Sequence, residues 1–142
     1  AQAPLLYDSA WGGVVSCGCN YASGSCQNVY PTCPGLTDQG LNFGAGFYND
    51  HHFHYGYHIY AAAVLAHFDA DWGKANFERV LLLIRDIANP SRDDTYFPVF
   101  RHKDWYHGSS WASGISLPVS PTGMNQESSS EAIASYEAVA LI

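Results

Sequence analysis

The chain has 142 residues and a formal net charge of −7, from 6 Lys and Arg against 13 Asp and Glu. That is about one domain's worth of chain, and the acidic balance argues against nucleic acid or an anionic membrane as main partner, since both need a clustered cationic face. Only 13% of residues are charged while 15% are Phe, Trp or Tyr, which excludes a disordered chain and suits a surface built for a neutral, hydrogen-bonding ligand such as a sugar.

Residues 1–15 form a short lead-in containing Trp11-Gly12-Gly13, and the start, Ala1-Gln2-Ala3-Pro4, has neither a basic segment nor a long apolar one. A cysteine-rich loop follows at 16–35, with Cys17, Cys19, Cys26 and Cys33 spaced C-x-C-x6-C-x6-C. Zinc sites usually carry C-x2-C pairs, and no histidine lies in this stretch, so disulfide staples are the better reading. Pairing Cys17 with Cys19 would strain the bridge, which leaves Cys17–Cys26 with Cys19–Cys33, or Cys17–Cys33 with Cys19–Cys26. Disulfides imply an oxidising compartment, hence secretion.

After a Gly-rich approach, Gly40 to Gly46, the first helix is expected over His51–Phe68, with Asn49 or Asp50 as its cap and Ala61 to Ala66 as good helix formers. A second helix is expected from about Trp72 to Ala88 behind Asp71, with Phe77, Val80, Leu81, Leu83, Ile84 and Ile87 on its apolar face. Asn89-Pro90 ends it. Residues 91–126 read as a long irregular loop, a feature more often functional than idle. A third helix is expected from near Glu127 or Ser128 to Ile142, with no Gly, Asn or Pro stop signal, which suggests a piece of a longer protein. The apolar runs at 61–66 and 80–84 are far shorter than the ~20 residues that cross a bilayer.

Three clusters could carry chemistry. In Tyr48-Asn49-Asp50-His51-His52-Phe53-His54-Tyr55-Gly56-Tyr57-His58, Asp50 and His54 share a helical face at i,i+4. The helix N-terminus favours an ionised Asp50, whereas burial among aromatics keeps it protonated, and only the second yields a general acid at mildly acidic pH. In Asn125-Gln126-Glu127-Ser128-Ser129-Ser130-Glu131, two carboxylates again sit at i,i+4, a like-charge pair that does not help an isolated helix. The run Phe97 to Gly114 alternates aromatic faces with hydrogen-bonding groups, as sugar binding needs. Glycoside hydrolysis needs two carboxyl groups flanking one bond, and Asp50 and Glu127 are candidates. Two rival readings are a non-catalytic fragment that binds such a glycan and a zinc hydrolase using His51, His54 and His58, though no Glu follows the first histidine of the i,i+4 pair.

These runs, with Arg85-Asp86-Ile87-Ala88-Asn89-Pro90, Asp104-Trp105 and Ser110-Trp111-Ala112, resemble glycoside hydrolase family 81, the endo-1,3-β-glucanases or laminarinases. The resemblance covers about Tyr7 to Ile142, with the motifs in family order. It implies a mainly all-α fold, part of an (α/α)6 barrel with long loops. Residues 1–142 would then be a partial catalytic domain. It also implies β-1,3-glucan as substrate, no metal cofactor, inversion at the anomeric carbon, and an extracellular or cell-wall setting. Asp50 would be the general acid and Glu127 the general base, with His54 and Glu131 supporting them. Tyr48, Tyr55, Asp104, His107, Trp111 and Gln126 would line the glucan cleft. The family often has Gly-His-Ser-Trp where this chain reads Gly108-Ser109-Ser110-Trp111, which makes His107 the substitute contact. An inverting pair is expected to hold its carboxyl groups about 6.5–9.5 Å apart.

Overall fold

The structure is a computed structural model and describes residues 3–22, 24–117 and 123–142. Residues 1–2 of the lead-in, Ser23 of the cysteine loop and residues 118–122 of the long loop lie outside the described residues.

Helix α1 spans His51–Phe68 and α2 spans Ala70–Ala88. The single residue between them, Asp69, serves both. Its N–H donates to Leu65 O, closing α1, and its carboxylate accepts from Trp72 N at 2.9 Å, capping α2. The second helix therefore starts two residues before the expected Trp72, because Asp69 rather than Asp71 has the non-helical backbone and the aimed side chain that a cap requires. Helix α3 spans Ser129–Leu141 and is capped by Ser128, whose hydroxyl accepts from Glu131 N at 3.2 Å. Ser128 and Glu131 have the spacing of a capping box.

Helix α1 packs on both α2 and α3. Its inward side contributes Tyr55, Ile59 and Ala62 to a core shared with Val80 and Ile87 of α2 and Ala138 of α3. Burying one such large apolar side chain stabilises the fold by ~1.5–3 kcal/mol. The approach of α1 to α3 depends on Gly56, where a Cβ would lie 2.7 Å from Ser135 Cβ. The Arg85–Pro90 run serves as a clasp at the end of α2. Arg85 grips Asp94 with two hydrogen bonds of 2.8 and 2.9 Å and lies over the Phe97 ring. Asn89 Nδ2 donates to Phe97 O at 2.8 Å.

The chain is helix-rich, but the segments expected as lead-in and loops also hold short antiparallel strands. In the lead-in, β1 (Leu5–Asp8) pairs with β2 (Gly13–Ser16), Leu5 opposite Ser16. In the cysteine loop, β3 (Tyr21–Ala22) pairs with β4 (Ser25–Cys26), and in the long loop β5 (Lys103–Asp104) pairs with β6 (Ser109–Ser110). Two disulfides, Cys17–Cys33 and Cys19–Cys26, nest one loop inside the other and choose between the two pairings left open by the sequence.

Candidate active site

The two carboxylates expected to do chemistry stand at the start of α1 and just before α3. Both backbones are left-handed, at φ 54 for Asp50 and φ 53 for Glu127, a conformation that costs about 1–3 kcal/mol for a residue with a side chain. Asp50 occupies the residue before α1, but its side chain does not cap the helix as expected. Left-handed geometry turns its carboxylate away from the free N–H groups. Its backbone is fastened instead to the loop between β6 and α3. Asp50 N donates to Ala112 O at 2.7 Å, Ala112 N donates to Asn125 O at 3.0 Å, and Glu127 N donates to Asn125 Oδ1 at 2.9 Å. Residues 77 positions apart are thereby joined by three hydrogen bonds.

The two carboxyl groups lie close enough for the charge of Glu127 to act on Asp50. Burial, then the Glu127 charge and hydrogen bond, push Asp50 up from the usual carboxylate range to about 6. Asn49 Nδ2 donates to Asp50 Oδ2 at 2.9 Å and opposes the shift. Asp50 Oδ1 is buried and has no hydrogen-bond donor among the described residues.

His54 and Glu131 belong to the same cluster. Burial, then the charge of His51, lowers the His54 imidazole from its ordinary value, while Glu131 and Glu127 act in the opposite direction. Glu131 Oε1 accepts from the Tyr57 hydroxyl at 2.9 Å. Tyr57 therefore supports the site, a role its place in an aromatic-rich run did not distinguish. The side chains of Asp50, Glu127, His54 and Glu131, far apart in pairs along the chain, thus face one another.

The other expected residues are elsewhere. Tyr48 and Tyr55 are buried, and their hydroxyls donate inward, to Asp8 Oδ2 at 2.8 Å and to Val14 O at 2.6 Å. Their packing fastens α1 to the β1–β2 hairpin, and Tyr48 also borders the Trp111 groove. Asp104 and His107 pair with each other on the β5–β6 hairpin at 2.9 Å. The backbone and ring hydrogen bonds of His107 hold Asp104 below the usual carboxylate range. Trp111 lines a groove of about 600 Å³ with Trp11, Pro98, Val99 and Arg101, and Gln126 lines one of about 670 Å³ with Trp105, Ser129 and Ile133. Neither groove is lined by any of the four clustered residues.

The three histidines of the zinc reading do not converge. His58 is exposed and its Nδ1 faces His54 O of the same helix, whereas His51 is fully buried. His51 Nδ1 faces Asp86 Oδ2 at 2.7 Å and Nε2 faces Ala45 O at 2.7 Å. Both ring nitrogens of His51 thus have a hydrogen-bond partner. Asp86 Oδ1 also accepts from Val14 N at 2.8 Å. Among the described residues, His51, Asp86 and His102 are the group whose ligand-type atoms gather within 4.8 Å. Hydrogen bonds with other protein groups already occupy both His51 nitrogens, both Asp86 oxygens and His102 Nδ1. The buried His52 ring stacks on His102 at 4.9 Å, and burial, then the His51 charge, lowers it to about 4.

The whole chain, residues 1–142, matches the family model described as the glycosyl hydrolase family 81 C-terminal domain. It is 48% identical over 130 residues to a glucan endo-1,3-beta-D-glucosidase of Arthroderma benhamiae, covering 92% of this chain and 12% of that protein. It is 47% identical over 131 residues to the primary septum glucan endo-1,3-beta-D-glucosidase of Schizosaccharomyces pombe, covering 90% of this chain and 11% of that protein. Its structure is similar to that of a glycoside hydrolase family 81 mutant from Clostridium thermocellum, with TM-score 0.70 and 40% identity, over 96% of this chain and 16% of that one. The chain thus spans a small part of its relatives' length. From end to end it belongs to glycoside hydrolase family 81, within the C-terminal domain of that family.

Proposed function

We propose that the protein containing this chain hydrolyses internal β-1,3-glucosidic linkages of β-glucan, and that this chain supplies its acid and base. The observation that carries the reading is the meeting of Asp50 and Glu127 on two strained residues, with Asp50 held near a pKa of about 6. A carboxyl that keeps its proton at mildly acidic pH can act as a general acid. Asp50 gives its proton to the glycosidic oxygen as the C1–O bond breaks. A water attacks C1 from the opposite face and gives a proton to Glu127. The products are a free 3-hydroxyl on the leaving sugar and an inverted, α-configured hemiacetal. His54 and Glu131 hold the pair's surroundings, and Tyr57 fixes Glu131.

Inversion needs about 6.5–9.5 Å between the carboxyl groups and retention about 5–5.5 Å. The reading takes the inverting spacing, with a water between Asp50 and the exposed Glu127. The chain forms part of an (α/α)6 barrel, and the nested disulfides fit an extracellular or cell-wall setting. Relatives named for glucan endo-1,3-beta-D-glucosidase activity support the substrate. The test is laminarin hydrolysis by the full-length protein, with product anomers followed by NMR. Initial α-product is expected. Initial β-product overturns inversion, and absence of hydrolysis overturns the reading.

A further inference from the structure

Phe43 is an exposed aromatic residue at the edge of the carboxylate cluster whose position packing does not explain. Its side chain is 76% exposed, so it gains little from burial. Its backbone is left-handed at φ 53, between Asn42 at φ 49 and Gly44 at φ 71. A non-glycine residue in that conformation costs about 1–3 kcal/mol, so the fold maintains strain here to present a ring to solvent. Two contacts tie the ring's position to the site. Its edge-type contact with His54 sets the ring centroids 5.7 Å apart at 77°. Asn49 Nδ2 donates to Phe43 O at 2.7 Å and also to Asp50 Oδ2 at 2.9 Å, so the Phe43 backbone stands two hydrogen bonds from the acid. Tyr57, another exposed aromatic beside the cluster, commits its hydroxyl to Glu131. Phe43 has no such polar commitment and offers only a flat apolar face.

We propose that Phe43 is the stacking platform for a glucosyl unit next to the bond being cleaved, with one face of its ring against the C–H face of the sugar. A β-linked glucosyl ring carries its hydroxyls around the rim and C–H groups on its faces, so a flat apolar ring binds it without leaving polar groups unpaired. The hydrogen bonds through Asn49 place that sugar beside Asp50, where the neighbouring glycosidic oxygen must sit. This inference rests on the β-glucan reading above and adds to it the residue that seats the substrate.

The test uses the full-length protein with laminari-oligosaccharides as probe. Phe43→Gly keeps the left-handed backbone and the carbonyl but removes the ring. Phe43→Trp keeps a ring. Phe43→Gly is expected to lower kcat/KM by about ten-fold, with the fall carried by KM, as loss of one aromatic contact implies. The same change on an Asp50→Asn background is expected to weaken oligosaccharide binding by calorimetry to a similar degree. Phe43→Trp is expected to restore KM and to change its fluorescence on binding. Unchanged KM and binding in Phe43→Gly overturn the platform while leaving the acid and base assignment intact. A fall in kcat with a displaced pH profile and unchanged KM also overturns it, because Phe43 would then act on Asp50 through Asn49. Wild-type protein that neither binds nor cleaves laminari-oligosaccharides overturns the underlying reading instead.

Discussion

Asp50 and His51 are neighbours in the chain, yet their side chains enter opposite kinds of environment. His51 turns inward to Asp86, a partner of complementary chemistry, and every acceptor and donor in that pair is matched. Asp50 turns toward Glu127, a partner of the same chemistry, and keeps one buried oxygen without a donor. The first pair is an internal fastener joining β2, α1 and α2. The second costs stability twice, through backbone strain at both residues and through like-charge repulsion. On the proposed function, the protein tolerates that cost where a proton moves and avoids it one residue away.

Substitutions at the two pairs should therefore separate. The largest effect is expected from Asp50→Asn or Glu127→Gln, each lowering turnover of laminarin by the full-length protein by about 10²–10⁴-fold, the usual contribution of a general acid or base. Circular dichroism and unfolding midpoint should stay near wild type. Asp86→Asn should act the other way round, destabilising the fold by about 3–5 kcal/mol because it removes one partner of a fully buried pair. Denaturant unfolding measures this, and an unfolding curve equal to wild type would show that the histidine pair is no fastener.

Gly56→Ala tests whether helix packing sets the spacing of the carboxylates. The new methyl meets Ser135 and should cost about 1–3 kcal/mol while forcing α1 and α3 apart. Unfolding and laminarin turnover should both decline. The smallest effect concerns pH. Asp50 binds its proton more tightly folded, at about 6, than unfolded, at 3.8, so its contribution to stability is greatest below the unfolded value and fades as pH rises toward about 6. Asp50→Asn should remove that slope between pH 4 and 7. Glu127→Gln should move the Asp50 carboxyl titration, followed by NMR, to lower pH, because Glu127 is one cause of the upward shift.

The helices were legible because alanine- and leucine-rich runs and Asn89-Pro90 act locally. The i,i+4 spacings drew attention to Asp50 with His54 and Glu127 with Glu131, but Asp50 and Glu127 stand outside the helices in left-handed backbone, and the loop hydrogen bonds that bring the two pairs near each other leave no sequence pattern. Asp69 was confused with Asp71 because both are acceptable caps, and only backbone geometry distinguishes them. Strands of two residues, such as β3 and β5, are too short to show alternation. Tyr48 and Tyr55 could not be separated from Tyr57 by type, because inward or outward direction depends on what the β1–β2 hairpin presents to α1. The left-handed backbone at Phe43, Asp50 and Glu127 leaves no mark in composition, since glycine would be the expected residue for it.

Asp50 and Glu127 are linked through Ala112 and Asn125 almost wholly by peptide groups, with the Asn125 amide as the one side chain in the path. Neutral drift at positions along that bridge therefore leaves the catalytic gauge untouched, provided Asn125 stays and Ala112 does not outgrow its sealed niche. On the proposed function, lineages can remodel the surrounding walls for longer, branched or crystalline glucans while inheriting one unaltered span between Asp50 and Glu127.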